Sequence, residues 1–181
     1  MPELVSAVIA DLIRDVPDFP QPGVGFKDIS PLLQSPQGFA AAVEAMVAAS
    51  PADVDLVLGM EARGFIFGAP IALALGAGFV PVRKPGKLPM PTLDESYDLE
   101  YGRNTLSVHA DAVRPGARVL VVDDVLATGG TVLATAALVR RLGAELAQTT
   151  VLVELEFLHG RDRLAEQGLT AVASVVTFGA A

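Results

Sequence analysis

"VLVVDDVLATGGT", residues 119–131, is the stretch on which the fold turns. Four apolar residues, Val119 to Val122, read as a strand buried on both faces, and they run directly into Asp123 and Asp124. A turn with Gly129, Gly130 and two threonines follows, and then an alanine-rich segment with helical character over 130–142. Strand, short loop and helix in this order form the repeating unit of a parallel sheet covered by helices. Ligands of such sheets bind outside the carboxyl ends of the strands. Gly129 and Gly130 let backbone N–H groups turn inward with no Cβ in the way. The helix start adds unpaired N–H groups and the positive end of its dipole, and Thr128 and Thr131 add hydroxyls. A loop made of Ala127, Thr128, Gly129, Gly130 and Thr131 therefore suits a phosphate without any lysine.

The loop is neither a Walker A loop nor a dinucleotide fingerprint, because GxxxxGK[ST] and GxGxxG are both absent from it. A Gly-Gly turn alone is an ordinary strand-to-helix connection; the two aspartates change that reading. They would repel a phosphate that they touched. They suit a pair of vicinal hydroxyls one sugar further along, since a carboxylate only accepts and a ribose diol donates twice.

The rest of the chain repeats the same alternation. An amphipathic helix fits "MPELVSAVIADLIRD" at the N-terminus, and residues 16–30, rich in Pro and Gly, read as a loop of fixed bends. A helix is expected over 37–49, a strand over 54–60, a helix ending at Gly76, a strand over 78–84, a long mobile loop over 85–96 and a hairpin over 97–109. Strands over 148–157 and near the C-terminus flank a short helix at 160–167. The fold class is thus α/β: a mostly parallel central sheet flanked by helices, in one domain of 181 residues. Residues 1–35 are its N-terminal helix and loop, and 85–109 its flexible loop and hairpin. Three loops, 59–64, 83–96 and 123–131, leave the carboxyl ends of the strands.

Composition excludes several classes. The formal charge is −8, from 13 Lys+Arg against 21 Asp+Glu, which argues against a nucleic-acid partner. Cations nonetheless cluster in "RKPGK" at 83–87. With no cysteine there is no disulfide framework and no thiolate zinc site. His109 and His159 sit in no motif and read as surface or satisfied side chains. No stretch reaches the length of a membrane span and the N-terminus lacks a signal-peptide pattern, so no membrane partner and a cytoplasmic location are expected.

"VLVVDDVLATGGT" resembles the signature of the type I phosphoribosyltransferases, which bind 5-phosphoribosyl-1-diphosphate (PRPP). "FPQPGVGFKDISPLL", "GMEARGFIFG", "VRKPGKLP" and "LEYG" are similar, in order and spacing, to the adenine-using branch of that family, over about residues 19–160. The resemblance implies the family's sheet with a small hood and a mobile loop over the site, and the reaction adenine + PRPP → AMP + pyrophosphate. It implies that Asp123 and Asp124 take the ribose hydroxyls and that 127–131 takes the 5′-phosphate. Pyrophosphate would fall to Arg63, Lys84, Lys87, Glu61 and Ala62, with a cis peptide at Glu61–Ala62. Glu100 of "LEYG" would handle the proton on the adenine ring, with Tyr101 packing over the closed site. Adenine would lie against Val24, Gly25, Phe26, Lys27 and Val125. Position 25 is Gly where the family carries a bulky apolar residue, so one wall of the base sandwich is missing, with Phe26 the residue available to replace it. Position 27 is Lys where Arg is common. No direct metal ligand and no organic cofactor are implied; Mg²⁺ would be held by the substrate, with water between it and Asp123 and Asp124. A homodimer is implied as well.

Three alternatives stand beside this reading. Enzymes of the family that use 6-oxopurines (hypoxanthine, guanine or xanthine) place a lysine late in the chain to donate to O6, whereas the three lysines here are Lys27, Lys84 and Lys87, and the strand "VLVELEF" carries Glu154 and Glu156. A PRPP-sensing regulator would need a basic surface. A phosphate-binding domain without chemistry leaves "LEYG" and the aspartate pair unexplained.

Overall fold

The computed structural model describes residues 2–98 and 103–179. The chain divides into two compact units, Met1–Ala45 and Met46–Ala181.

In the N-terminal unit, α1 (Pro2–Asp11) precedes two short strands, β1 (Arg14–Val16) and β2 (Phe26–Asp28), paired antiparallel with Val16 opposite Phe26. The sequence reading missed this pair, because three-residue strands carry no period. The segment between them does keep fixed bends. Phe19–Pro20 is cis, and Phe19 N–H donates to Val24 O at 3.0 Å. Helices α2 (Ser30–Gln34) and α3 (Pro36–Ala48) follow. Ser35 Oγ accepts from Gly38 N–H at 3.0 Å, capping the start of α3. Ile9, Ile13, Ile29 and Leu32 are buried, while Leu4, Val5 and Val8 of the same amphipathic pattern are exposed.

In the second unit, β3 (Leu56–Met60), α4 (Gly64–Leu75) and β4 (Gly78–Val82) lead to a hairpin of β5 (Thr92–Asp98) and β6 (Arg103–His109). Then come β7 (Arg118–Leu126), α5 (Gly130–Arg141), β8 (Glu145–Leu155), a single 3₁₀ turn, α6 (Gly160–Glu166) and β9 (Val172–Phe178). The five parallel strands run in the order β4-β3-β7-β8-β9. Val119 to Val122 have no exposed surface, as a central strand covered on both faces requires. From β3 the chain leaves towards β4, and from β7 it leaves towards β8. The gap between β3 and β7 is therefore the topological switch point, where loops part and leave room for a ligand.

Two boundaries differ from the sequence reading. Residues 85–96 are not one loop, since β5 begins at Thr92. Its alternation rests on only two apolar residues, Leu93 and Tyr97, both packed on the core. β7 does not end at the aspartates either. It pairs with β3 only as far as Val122 opposite Gly59, but with β8 as far as Leu126 opposite Glu154. Asp123 and Asp124 thus sit in a strand that has lost its neighbour on one side only, the side of the switch point.

Candidate active site

Three neighbouring strand ends, those of β4, β3 and β7, lead into the segments that carry Glu61, Ala62, Arg63, Lys84, Asp123 and Asp124. The loop after β3 carries Glu61, Ala62 and Arg63, and Glu61–Ala62 is a cis peptide. Arg63 forms an ion pair through Nε with Asp124 Oδ2, and Asp124 is buried. Gly64 opens α4 against β7: a Cβ there would lie 2.8 Å from Val122 O and 3.0 Å from Asp123 Oδ1. Only glycine lets the start of α4 come this close to the acid pair.

The two aspartates are not equivalent. Asp123 Oδ1 accepts the Asp124 N–H at 2.9 Å. Burial, followed by the charge of Asp124, pushes the Asp123 carboxyl well above its ordinary value, against the pull of that N–H and of Arg63. Asp124 faces the arginine. The pair is thus held as one acid beside a cation and one acid that resists ionisation.

Residues 127–129 connect β7 to α5, with Gly129 at φ +79°. The loop is backed by α6. A Cβ at Gly160 would lie 2.1 Å from Ala127 O, and Arg163 Nη1 donates to Thr128 O at 3.3 Å. Arg161 pins α6 to the sheet, with Nε donating to Glu154 Oε1 at 2.8 Å and Nη1 to Val172 O at 2.8 Å. Ser174 Oγ donates to Glu154 Oε2 at 2.8 Å. Hydrogen bonds from Arg161 hold the Glu154 carboxyl below its ordinary value, against its burial. Glu154, noted in the sequence for standing where a lysine is absent, thus has an arginine partner. Thr131 Oγ1 donates to Tyr97 Oη at 3.4 Å, which ties the hairpin to the start of α5.

At the end of β4, Arg83 Nε donates to Glu61 Oε2 at 3.0 Å, and the Lys84 N–H donates to the same oxygen at 3.0 Å. Burial raises the Glu61 carboxyl, but these two bonds and the charges of Arg83 and Lys87 outweigh it and hold it below its ordinary value. Glu61 N–H donates to Val82 O at 2.9 Å. Glu61, expected among the pyrophosphate ligands, has its N–H and a carboxylate oxygen engaged within the chain, and a carboxylate offers an anion no donor. Lys84 and Lys87 are exposed.

The expected base loop, residues 24–27, belongs to the N-terminal unit. A Cβ at Gly25 would meet nothing within 4 Å. Phe26 stacks edge-on against Phe19 with ring centroids 5.1 Å apart. The Lys27 ammonium forms an ion pair with Asp15 across β1 and β2, so its side chain has a charged partner of its own. Val125, expected to take the other face of the base, lies on β7 opposite Val153. Glu100 and Tyr101 lie outside the described residues. Gly64, Gly160, Arg163 and Tyr97 went unnoticed in the sequence. Each acts through a contact remote in the chain, and none has a local pattern.

Residues 31–173 match the family model of the phosphoribosyl transferase domain. The chain is 62% identical over 171 residues to the adenine phosphoribosyltransferase of Cutibacterium acnes, covering 94% of this chain and 97% of that protein. It is similar to the crystal structure of adenine phosphoribosyltransferase from Thermoanaerobacter pseudethanolicus, with a TM-score of 0.91, 48% identity and coverage of 96% and 99%. It is also similar to the Saccharomyces cerevisiae enzyme complexed with adenine and an imino-altritol bisphosphate, with a TM-score of 0.87, 35% identity and coverage of 96% and 99%.

Proposed function

The chain belongs to the adenine phosphoribosyltransferase family, and from that premise we propose how its residues divide the reaction between them. The reaction is purine salvage: the phosphoribosyl group of PRPP passes to adenine, giving AMP and pyrophosphate.

The 5′-phosphate lies on the N–H groups and hydroxyls of 127–131, and the ribose diol on Asp123 and Asp124. Arg63, Lys84, Lys87 and the backbone at Ala62 meet the pyrophosphate as it leaves. Support comes from one observation above all. Arg63 and the acid pair meet at the switch point between β3 and β7, which suits an anion on C1 of the ribose drawn to Arg63 and the neighbouring diol on C2 and C3 drawn to the aspartates. Magnesium enters with PRPP as a substrate ion, and the carboxylate oxygens of Asp123 and Asp124 are hard ligands able to meet its water shell. The bond from C1 to the pyrophosphate oxygen breaks, that from C1 to adenine N9 forms, and the N9 proton passes to Glu100. Val24, Gly25, Phe26, Lys27 and Val125 hold the base. The side-chain pairing of Lys27 with Asp15 supports a role for its backbone rather than its ammonium.

One assay series tests these roles: wild type and Glu100→Ala with PRPP, Mg²⁺ and adenine, hypoxanthine, guanine or xanthine in turn. Adenine alone should yield a nucleotide, and Glu100→Ala should lower kcat by about 10²–10⁴ with the KM for PRPP unchanged. Turnover of a 6-oxopurine, or an unchanged kcat, removes the corresponding assignment.

A homodimer in the cytoplasm completes the proposal. Leu73 of the apolar helix α4 is 83% exposed and Ile66 is 37% exposed, which suits a second copy as partner. Light scattering should give twice the chain mass; the mass of one chain would refute the dimer.

A further inference from the structure

Among the cations at 83–87, Arg83 has a side chain hydrogen-bonded within the chain. Its Nε meets Glu61 Oε2 at 3.0 Å, and its Nη1 donates to Lys87 O at 3.2 Å. The guanidinium carbon stands 5.9 Å from the centroid of the Phe65 ring. Its backbone exchanges two hydrogen bonds with Ser107, at 2.8 and 2.7 Å. Between Arg83 and Lys87 the chain turns at Pro85-Gly86, with Gly86 at φ +75°, the region that Pro-Gly turns need at their second central residue. The Arg83 side chain therefore joins the two ends of this turn. The Glu61 carboxylate holds both the side chain of Arg83 and the N–H of Lys84, so it fixes the near end of the turn to the loop that carries Arg63.

A carboxylate next to a site for a highly charged anion is unfavourable by Coulomb's law alone. Its presence calls for an effect that outweighs the repulsion. Lysine is a point charge on a flexible stem, and its contribution depends on where its backbone is held.

We propose that Glu61 and Arg83 are positioning residues: together they set the Lys84–Lys87 turn in register with Arg63, so that three cations converge on the leaving pyrophosphate while neither Glu61 nor Arg83 touches it. This rests on the assignment of pyrophosphate to Arg63, Lys84 and Lys87. The consequence is a reversal of sign. Truncating the Glu61 side chain weakens the binding of an anion, where electrostatics without positioning requires the loss of its negative charge to strengthen it.

The experiment titrates AMP, and then magnesium pyrophosphate in the presence of AMP, into the full chain as wild type, Glu61→Ala, Glu61→Gln and Arg83→Lys. Glu61→Ala is expected to weaken pyrophosphate binding about tenfold and to leave AMP affinity within about twofold, a loss of the size of one charge-assisted hydrogen bond. Glu61→Gln keeps an oxygen that accepts both N–H groups and should stay within about threefold of wild type. Should Glu61→Ala fail to fold, Arg83→Lys decides: it keeps the charge but cannot span Glu61 and the Lys87 carbonyl, so the same pyrophosphate-only loss is expected. Pyrophosphate binding that is unchanged or tighter in Glu61→Ala, or unchanged in Arg83→Lys, overturns the proposal. So does an equal loss of AMP affinity, which would mark a general disturbance of the fold. A wild-type chain that binds AMP but not pyrophosphate would overturn the underlying assignment, and this inference with it.

Discussion

At 127–131 the proposed anion site consists of a helix start, two glycines and two threonines, backed by α6. At 61–63 and 83–87 it consists of the side chains Arg63, Lys84 and Lys87, each set close to an acid or to a residue that holds one. The difference follows from what each end has to do. The 5′-phosphate is on both PRPP and AMP, so its site can be rigid and made of main-chain donors whose positions the helix and α6 decide. Pyrophosphate must be held more strongly as it departs than before and then released. Side-chain cations with alternative partners in the chain can do this, whereas a helix start cannot change partners. Arg63 already has such an alternative in Asp124.

The comparison breaks most visibly at Gly160. In Gly160→Ala the new methyl would stand 2.1 Å from the Ala127 carbonyl, so backbone must move at the phosphate loop. AMP affinity should fall at least about 100-fold, and thermal stability should fall with it by about 1–3 kcal/mol, as overpacking of this kind typically does. Calorimetric titration with AMP and with pyrophosphate separates the two ends; a loss confined to pyrophosphate would contradict the role of α6 as the backing of the phosphate loop. Glu61→Ala is the counterpart at the other end, with its smaller, pyrophosphate-only loss.

The smallest effect belongs to the junction between the ends. Asp123 has a folded pKa raised above its ordinary value of 3.8. A raised carboxyl contributes stability fully below the unfolded value, and that contribution is lost as pH rises through the folded value. Towards neutral pH the buried Asp123 carboxyl is therefore a burden on the fold that is absent at low pH. Asp123→Asn keeps an oxygen for the Asp124 N–H and removes the charge. It should raise Tm at pH 7 by about 2–4 °C, the shift that about 1 kcal/mol gives a domain of this size, while weakening PRPP binding. The gain should shrink towards pH 4. A gain that is the same at both pH values would mean that charge is not its cause. Stability sacrificed at a functional carboxylate in this way is a common trade-off.

Much of this arrangement was legible in the sequence because it is local. Val119 to Val122 announced a central strand, the Gly-Gly-Thr turn a helix start, and Gly76 the end of a helix. The parallel sheet follows from the alternation of such units. The strands β1 and β2 were not legible, and neither was the true start of β5. In each case the pairing partner, not an apolar period, makes the strand. Strand β7 runs past Asp123 and Asp124 because β8 still pairs with it after β3 has ended.

The sequence by itself determined which chemistry is present: donors for a phosphate at 127–131, two acceptors before them, and cations in "EARG" and "RKPGK". These depend on residue type and spacing along one stretch of chain. Tertiary structure alone decided which of these groups face one another. Arg63 reaches Asp124 across 61 residues, Glu61 holds Arg83 across 22, and Gly160 abuts Ala127 from a helix that lies beyond α5 and β8. Such pairings arise from strand order and from the close approach that a missing Cβ allows, and neither is written in any single segment.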